Sequence, residues 1–224
     1  MKKKIKTALT MAAGRGSRMM PLTESIPKAM APYDGSTLIA KGIKKIKPYV
    51  SNIYVTVGYK GALLAQHVIN NGISGLFDTS GHDNAWWLFN TLIKEIDEPI
   101  FVLTCDNIIK LDFDKLALDY YEAGSPLTMI IPVRPINGLK GDYIHHHNNV
   151  VNKLSRDDKT DIYCSGIQII NPKKLNNLIK PTENFYNVWS QLIAKKELLC
   201  SNIYPETWFV ADTIDQLDMI PKGI

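Results

Sequence analysis

The chain has 224 residues, 45% of them hydrophobic and 21% charged, with a formal net charge of +4. These proportions suit one soluble α/β domain with a substantial core, and they exclude a disordered or collagen-like chain. No apolar run reaches the length of a membrane span, and the modest, dispersed positive charge speaks against a nucleic-acid partner, which needs a concentrated basic face.

Met1-Lys2-Lys3-Lys4 has the charge of a signal-peptide start, but the apolar stretch after it is short, is interrupted by Lys6 and runs into a glycine loop. Ile5–Met11 therefore reads as a first strand. Leu38–Ile46 reads as a helix whose Lys41, Lys44, Lys45 and neighbouring Lys47 form a solvated face. Asn52–Val57 is a β-branched strand, Ala62–Ile69 and Ala85–Ile96 are helical, and Pro99–Thr104 is a buried strand. Leu111–Ala123 contains a helix and Leu127–Val133 is a strand. Tyr143–Lys153 carries the polar run His145–Asn149 as a hairpin tip. Ile162–Ile170 is a strand, Asn187–Lys195 a helix, and Leu198–Tyr204 and Thr207–Val210 are strands before a helix near Ile214. The alternation predicts an α/β, Rossmann-like, mostly parallel sheet with helices on both faces. It also predicts one domain over 1–224, made of two halves of about 1–110 and about 111–224. Cys105, Cys164 and Cys200 are an odd, widely spaced set that implies neither a disulfide framework nor a zinc site, in keeping with a cytoplasmic setting.

The chemistry concentrates in the loop after the first strand, Ala12-Ala13-Gly14-Arg15-Gly16-Ser17-Arg18-Met19-Met20-Pro21-Leu22-Thr23-Glu24-Ser25-Ile26-Pro27-Lys28. Its glycines allow positive φ and present backbone N–H groups to an anion. Arg18 and Lys28 add full charges for phosphate oxygens. No Gly-Lys-Ser/Thr follows, so this is not a Walker loop, and the dinucleotide fingerprint is absent as well. A nucleoside triphosphate is the first candidate ligand. Asp106 follows the buried strand 99–104, and ligands of such sheets sit beyond the carboxyl ends of the strands. A carboxylate placed there, facing a triphosphate, suits Mg²⁺.

The spacing Gly-x-Gly-Ser-Arg-x-x-Pro-Leu-Thr-x-x-x-Pro-Lys resembles the N-terminal motif of the sugar-phosphate nucleotidyltransferases, in which an NTP and a sugar 1-phosphate give an NDP-sugar and pyrophosphate. The resemblance implies a nucleotide site of Ala12, Ala13, Gly14, Gly16, Ser17 and Arg18. It also implies catalytic roles for Arg18, Lys28 and Asp106, with Arg15 facing solvent. The segment Trp208–Leu217 is similar to the family's closing motif and nominates Asp212 as the second metal carboxylate; the alternative is that Asp212 or Thr213 caps the following helix. Mg²⁺ is the implied cofactor, with Mn²⁺ as a substitute. Lys28, Ser165, Gly166 and Glu183 are the implied acceptor-binding residues, although Thr182 or Asn184 there reads equally well as a helix cap.

The segment Asp78–Trp87 departs from the family pattern. Here Asn84 is a candidate for a base edge, and Trp86 or Trp87 either stacks on the base or packs into the core. Cys105 replaces a common glycine. His145–His147 alternate faces on a strand and do not jointly hold zinc.

Three readings follow. The first is a Mg²⁺-dependent nucleotidyltransferase of a sugar 1-phosphate supplying cell-surface polysaccharide precursors. The second uses CTP and phosphocholine or another small phosphorylated acceptor, which the 78–87 segment and Asp212 favour. The third is a silent nucleotide-sugar-binding subunit. The partners are thus an NTP and a phosphorylated small molecule, with no nucleic acid and no membrane; a homodimer is common in the family, but no seam is legible. The chain ends soon after the closing motif, so a second appended activity is not expected.

Overall fold

The computed structural model describes residues 3–136 and 141–223. The first half runs β1 (Thr7–Met11), α1 (Leu22–Ser25), a small hairpin of β2 (Pro32–Tyr33) and β3 (Ser36–Thr37), α2 (Leu38–Ile46), β4 (Asn52–Val57), α3 (Gly61–Asn70), β5 (Gly75–Asp78), α4 (Trp86–Asn90) and β6 (Ile100–Thr104). The second half runs β7 (Asn107–Lys110), α5 (Phe113–Glu122), β8 (Thr128–Val133), β9 (Tyr143–His147), β10 (Val150–Ser155), β11 (Tyr163–Ile170), α6 (Pro172–Leu178), α7 (Phe185–Ala194), β12 (Leu198–Cys200), β13 (Thr207–Val210) and α8 (Ile214–Met219).

The main sheet has the order β5-β4-β1-β6-β11-β8-β12-β10-β9. β5, β4, β1, β6, β8, β12 and β9 point one way, and β11 and β10 run against them. The sheet is therefore mostly parallel. Its strands are apolar on both sides, as burial between two helix layers requires. In β6, Phe101 and Leu103 join the core with Ile39 and Ile43 of α2, Leu64 of α3 and Leu116 of α5. Ile100 and Val102 join the opposite core with Trp87 of α4, Leu175 of α6 and Val188 of α7. Helices cover both faces, as the sequence pattern predicts.

Two features place the functional residues. β1 pairs with β6 in parallel, with Met11 opposite Thr104, so the 12–28 loop and Asp106 leave the same edge of the sheet. The separate ribbon of β7 and β13 sets Asn107 opposite Val210. The Ala211 amide then donates to the Asp106 carbonyl at 3.0 Å, which brings Asp212 beside Asp106.

Several segments differ from the sequence reading. The helix predicted over 85–96 breaks at Thr91, which is extended; its hydroxyl donates to the Trp87 carbonyl and accepts from the Ile93 amide, so a separate 3₁₀ turn starts there. His145–His147 lie in β9, and the tip is Asn148-Asn149, both with positive φ, as a tight hairpin turn prefers. The last long strand predicted, 198–204, stops at Cys200. The short elements β5, β7 and α6 were not predicted.

Candidate active site

Pro27 is extended and starts a 3₁₀ turn whose first residue is Lys28. Gly16 makes this turn compatible with the loop. It has a φ of 68°, and a Cβ built on it would lie 2.5 Å from Lys28 Cβ. The glycine is required twice over, by its backbone and by the lysine stem lying against it. The Thr23 hydroxyl donates to the Gly16 carbonyl at 3.0 Å and fixes the same corner.

The end of β4 supports the loop from beneath. Thr56 Oγ1 accepts from the Ala12 amide at 3.0 Å. The Tyr59 amide donates to the Ala13 carbonyl at 3.0 Å, and the Tyr59 hydroxyl donates to the Thr23 carbonyl at 2.9 Å. Gly58 lets the two chains approach, since a Cβ there would stand 2.7 Å from the Ala13 carbonyl oxygen. Among the described residues the amides of Gly14, Arg15 and Gly16 have no protein acceptor. They are a row of donors for an anion. Arg15 is exposed, with its guanidinium over the Tyr59 ring.

Lys28 is the centre of the site. Its Nζ lies 2.5 Å from Asp106 Oδ2 and 2.7 Å from Asp212 Oδ1, and Arg18 Nη2 lies 3.0 Å from the same Asp212 oxygen. Burial alone would lower the Lys28 pKa; the charges and hydrogen bonds of Asp106 and Asp212 outweigh it and hold the ammonium above the usual lysine range. Two cations thus balance two carboxylates. Thr213, not Asp212, caps α8, in a capping box with Gln216, so the Asp212 carboxylate is free to face Lys28. Cys105 beside them is inert: burial and the neighbouring Asp106 charge push its thiol up to about 12.

These groups line a cavity of about 770 Å³ that also holds Ala12, Gly14, Ser17 and Asn84. Asn84 is more constrained than a base reader need be, because its Oδ1 accepts from the Phe185 amide at 2.9 Å and anchors the start of α7. Asn184 is the N-cap of that helix. Trp87 is buried in the core, with its Nε1 donating to the Asn84 carbonyl, whereas Trp86 stacks on His82 with ring centroids 4.0 Å apart.

The residues expected to meet the acceptor divide. Lys28 is in the cavity. Ser165 is buried, and its hydroxyl donates to the Ile131 carbonyl and accepts from the Ile167 amide. Its side chain holds a bulge in β11. Gly166 takes a φ of 81° in that bulge, against Thr104. The Asn107 amide group donates to the Ser165 carbonyl and its oxygen accepts from Trp208 Nε1, tying the bulge to the ribbon behind Asp106. Glu183 stands at the rim, 3.5 Å from His82 Nδ1.

The sequence reading missed Thr56, Gly58, Tyr59 and Thr23 as supports of the loop. A threonine two residues before a glycine at a strand end was the only signal. It also placed Lys45 on a solvated face, whereas the side chain turns inward and donates to the Ile109 carbonyl.

Residues 8–113 match the family described as the MobA-like NTP transferase domain. Over that segment the chain resembles nucleotidyltransferases. The chain is 31% identical over 112 residues to the bifunctional protein GlmU of Methanococcus aeolicus, across 50% of this chain and 27% of that protein. It is 25% identical over 206 residues to the mannose-1-phosphate guanyltransferase of Debaryomyces hansenii, across 85% of this chain and 57% of that one. It therefore spans about a quarter to three-fifths of the length of these curated relatives. Its fold is that of the CTP:phosphocholine cytidylyltransferase of Streptococcus pneumoniae, with a TM-score of 0.76 at 18% identity over 96% of this chain and 97% of that one. No helix among the described residues is long and apolar enough to cross a membrane.

Asp106 Oδ2 and Asp212 Oδ1 converge on one point, now held by the lysine ammonium. Two hard oxygens at one point fit Mg²⁺, which is commonly held by one or two carboxylates with phosphates completing its shell. Among the described residues no group of three or more His, Cys, Asp or Glu side chains is placed to hold a metal ion.

Proposed function

We propose that this protein joins a nucleoside triphosphate to a sugar 1-phosphate, releasing pyrophosphate and an NDP-sugar. The observation that carries the reading is the convergence of Lys28, Arg18, Asp106 and Asp212 beside an amide-lined loop. In the proposed step an acceptor phosphate oxygen forms a bond to the α-phosphorus while the bond from that phosphorus to pyrophosphate breaks. The acceptor phosphate is already an anionic nucleophile, so no side chain need remove a proton. The residues act by positioning and by neutralising charge.

Lys28 would leave the carboxylates and take up the reacting phosphates, Arg18 would grip the outer oxygens, and the free amides of 14–16 would cradle the tail. Asp106 and Asp212 would hold Mg²⁺, with Mn²⁺ as a substitute, and the bound ion would offset phosphate charge. The Lys28 bridge has a consequence for order of binding. The carboxylates would be open to a metal once the triphosphate had drawn the lysine away. The mannose-1-phosphate guanyltransferase among the relatives supports a sugar 1-phosphate as the acceptor.

A second reading keeps the chemistry and changes the acceptor to phosphocholine or another small phosphorylated compound, with CTP as donor. It is favoured by His82 of the cavity lining, on which Trp86 stacks and which lies 3.5 Å from Glu183. An aromatic face beside an acid suits a cationic group. Pyrophosphate release across four NTPs, each paired with hexose 1-phosphates and with phosphocholine, tests both. Turnover with a hexose 1-phosphate supports the first reading, and turnover with phosphocholine alone selects the second. Tight binding of a nucleotide-sugar without any turnover would overturn both.

A further inference from the structure

A second cavity, of about 450 Å³, lies under α2, and Thr104 and Cys105 separate it from the nucleotide cavity by lining both. Its walls are apolar: Leu38, Ile39 and Ile46 of α2, Leu103 of β6, Ile108 of β7 and Phe113 of α5. The space exists because α2 presents Gly42 to it, and a Cβ built there meets nothing within 4 Å. A volume of this size with mostly apolar walls and a few polar groups is the usual make-up of a small-molecule site.

The charged residues of the lining are mostly basic. Lys41, Lys44 and Lys45 lie there with a single acid, Asp34. Lys41 is already paired with Asp34 at 2.5 Å. Lys44 has no carboxylate within 4 Å among the described residues, and Lys45 has only the Ile109 carbonyl. Burial, with the like charges of Lys110 and Lys41, lowers the Lys45 pKa, a cost that a bound anion would relieve. An apolar chamber with unbalanced positive charge in its lining matches one kind of molecule.

We propose that this chamber binds a small amphipathic anion, its aromatic or branched apolar body against Leu38, Ile108 and Phe113 and its acidic group against Lys44 and Lys45. The bound molecule would touch Cys105, the residue before Asp106. The site does not depend on which reaction the larger cavity performs, so its test and that of the proposed function fail separately.

The probe is 1-anilinonaphthalene-8-sulfonate, titrated by fluorescence into the folded full chain, with the uncharged N-phenyl-1-naphthylamine as comparison. The expected result is one saturable site that a saturating Mg-nucleotide does not displace. Removing both charges in Lys44→Met/Lys45→Met should weaken sulfonate binding about tenfold or more, the worth of one charge-assisted contact. Gly42→Phe should abolish binding by filling the chamber, with thermal melting used to check its fold. Equal affinity for the uncharged compound, unchanged binding by the double lysine variant, or displacement by nucleotide would each overturn the proposal. The lysine variant, its fold checked by the same thermal melting, decides the matter if Gly42→Phe does not fold.

Discussion

Gly16→Ala changes one hydrogen to a methyl group at the point where the phosphate loop meets Lys28. The new carbon would lie 2.5 Å from Lys28 Cβ and 3.1 Å from both Cγ and Cδ. Carbon atoms pack at about 3.5–4.0 Å, so roughly 1 Å must be found by moving the loop or the lysine stem. Forced overpacking of this kind costs about 1–3 kcal/mol. The left-handed φ of 68° adds about 1–2 kcal/mol for any residue with a Cβ. Lys28 Nζ sits 2.5 and 2.7 Å from its two carboxylates, so a stem displaced by 1 Å leaves its working position. Misplacement on that scale costs on the order of 100-fold in rate. Gly35→Ala is the control: its φ of 71° carries the same backbone penalty, but its Cβ meets nothing within 4 Å. Urea unfolding and pyrophosphate release should show Gly16→Ala losing about 2–5 kcal/mol and most of its turnover, and Gly35→Ala losing about 1–2 kcal/mol with turnover intact. Equal stability losses in the two variants, with wild-type turnover in Gly16→Ala, would refute the reasoning.

Asp106→Asn should abolish metal-dependent turnover and lower the urea midpoint only in part, because Asp212 still pairs with Lys28; retained turnover removes Asp106 from the mechanism. In Lys28→Met the two carboxylates lose their internal cation, so Mn²⁺ followed by electron paramagnetic resonance without nucleotide should bind about tenfold tighter than in wild type; weaker binding would mean that the lysine does not compete for that position. Because the fold raises the Lys28 pKa, its bridge stabilises fully below the ordinary lysine value of about 10.4 and loses its contribution as pH rises through the folded value. The stability difference between wild type and Lys28→Met should therefore be flat from about pH 7 to 9 and shrink only above about 10.5, and a decline within the neutral range would contradict the assignment. Thr56→Val removes the acceptor of the buried Ala12 amide and should cost about 1–3 kcal/mol by urea unfolding.

Periodicity and propensity carried the sequence a long way where a residue's role is local. α2 and β4 have the bounds that their apolar and β-branched patterns predict, and the glycine loop lies at the end of a buried strand as its composition implies. Asp106 was legible because strand ends in α/β sheets are where charged groups face ligands. Asp212 could be nominated only by resemblance. Its place beside Asp106 is fixed by a four-residue ribbon between segments 100 residues apart, and neither strand is long enough to announce its partner. Lys45 was misplaced because helical periodicity assigns a face but not the path of a long side chain, which here bends back to a carbonyl over an open space left by Gly42. Ser165 carries a polar side chain in a strand, and sequence cannot distinguish a hydroxyl facing a substrate from one bridging its own sheet, as this one does.

The lysine's change of partner is the centre of the account, and a crystal structure with a non-hydrolysable nucleoside triphosphate and Mg²⁺ tests it most directly. Phosphates should lie on the amides of residues 14–16, with Lys28 Nζ moved from the carboxylates to a phosphate oxygen and Mg²⁺ held by Asp106 and Asp212. Phosphates bound elsewhere, with Lys28 still bridging the two aspartates, would contradict it.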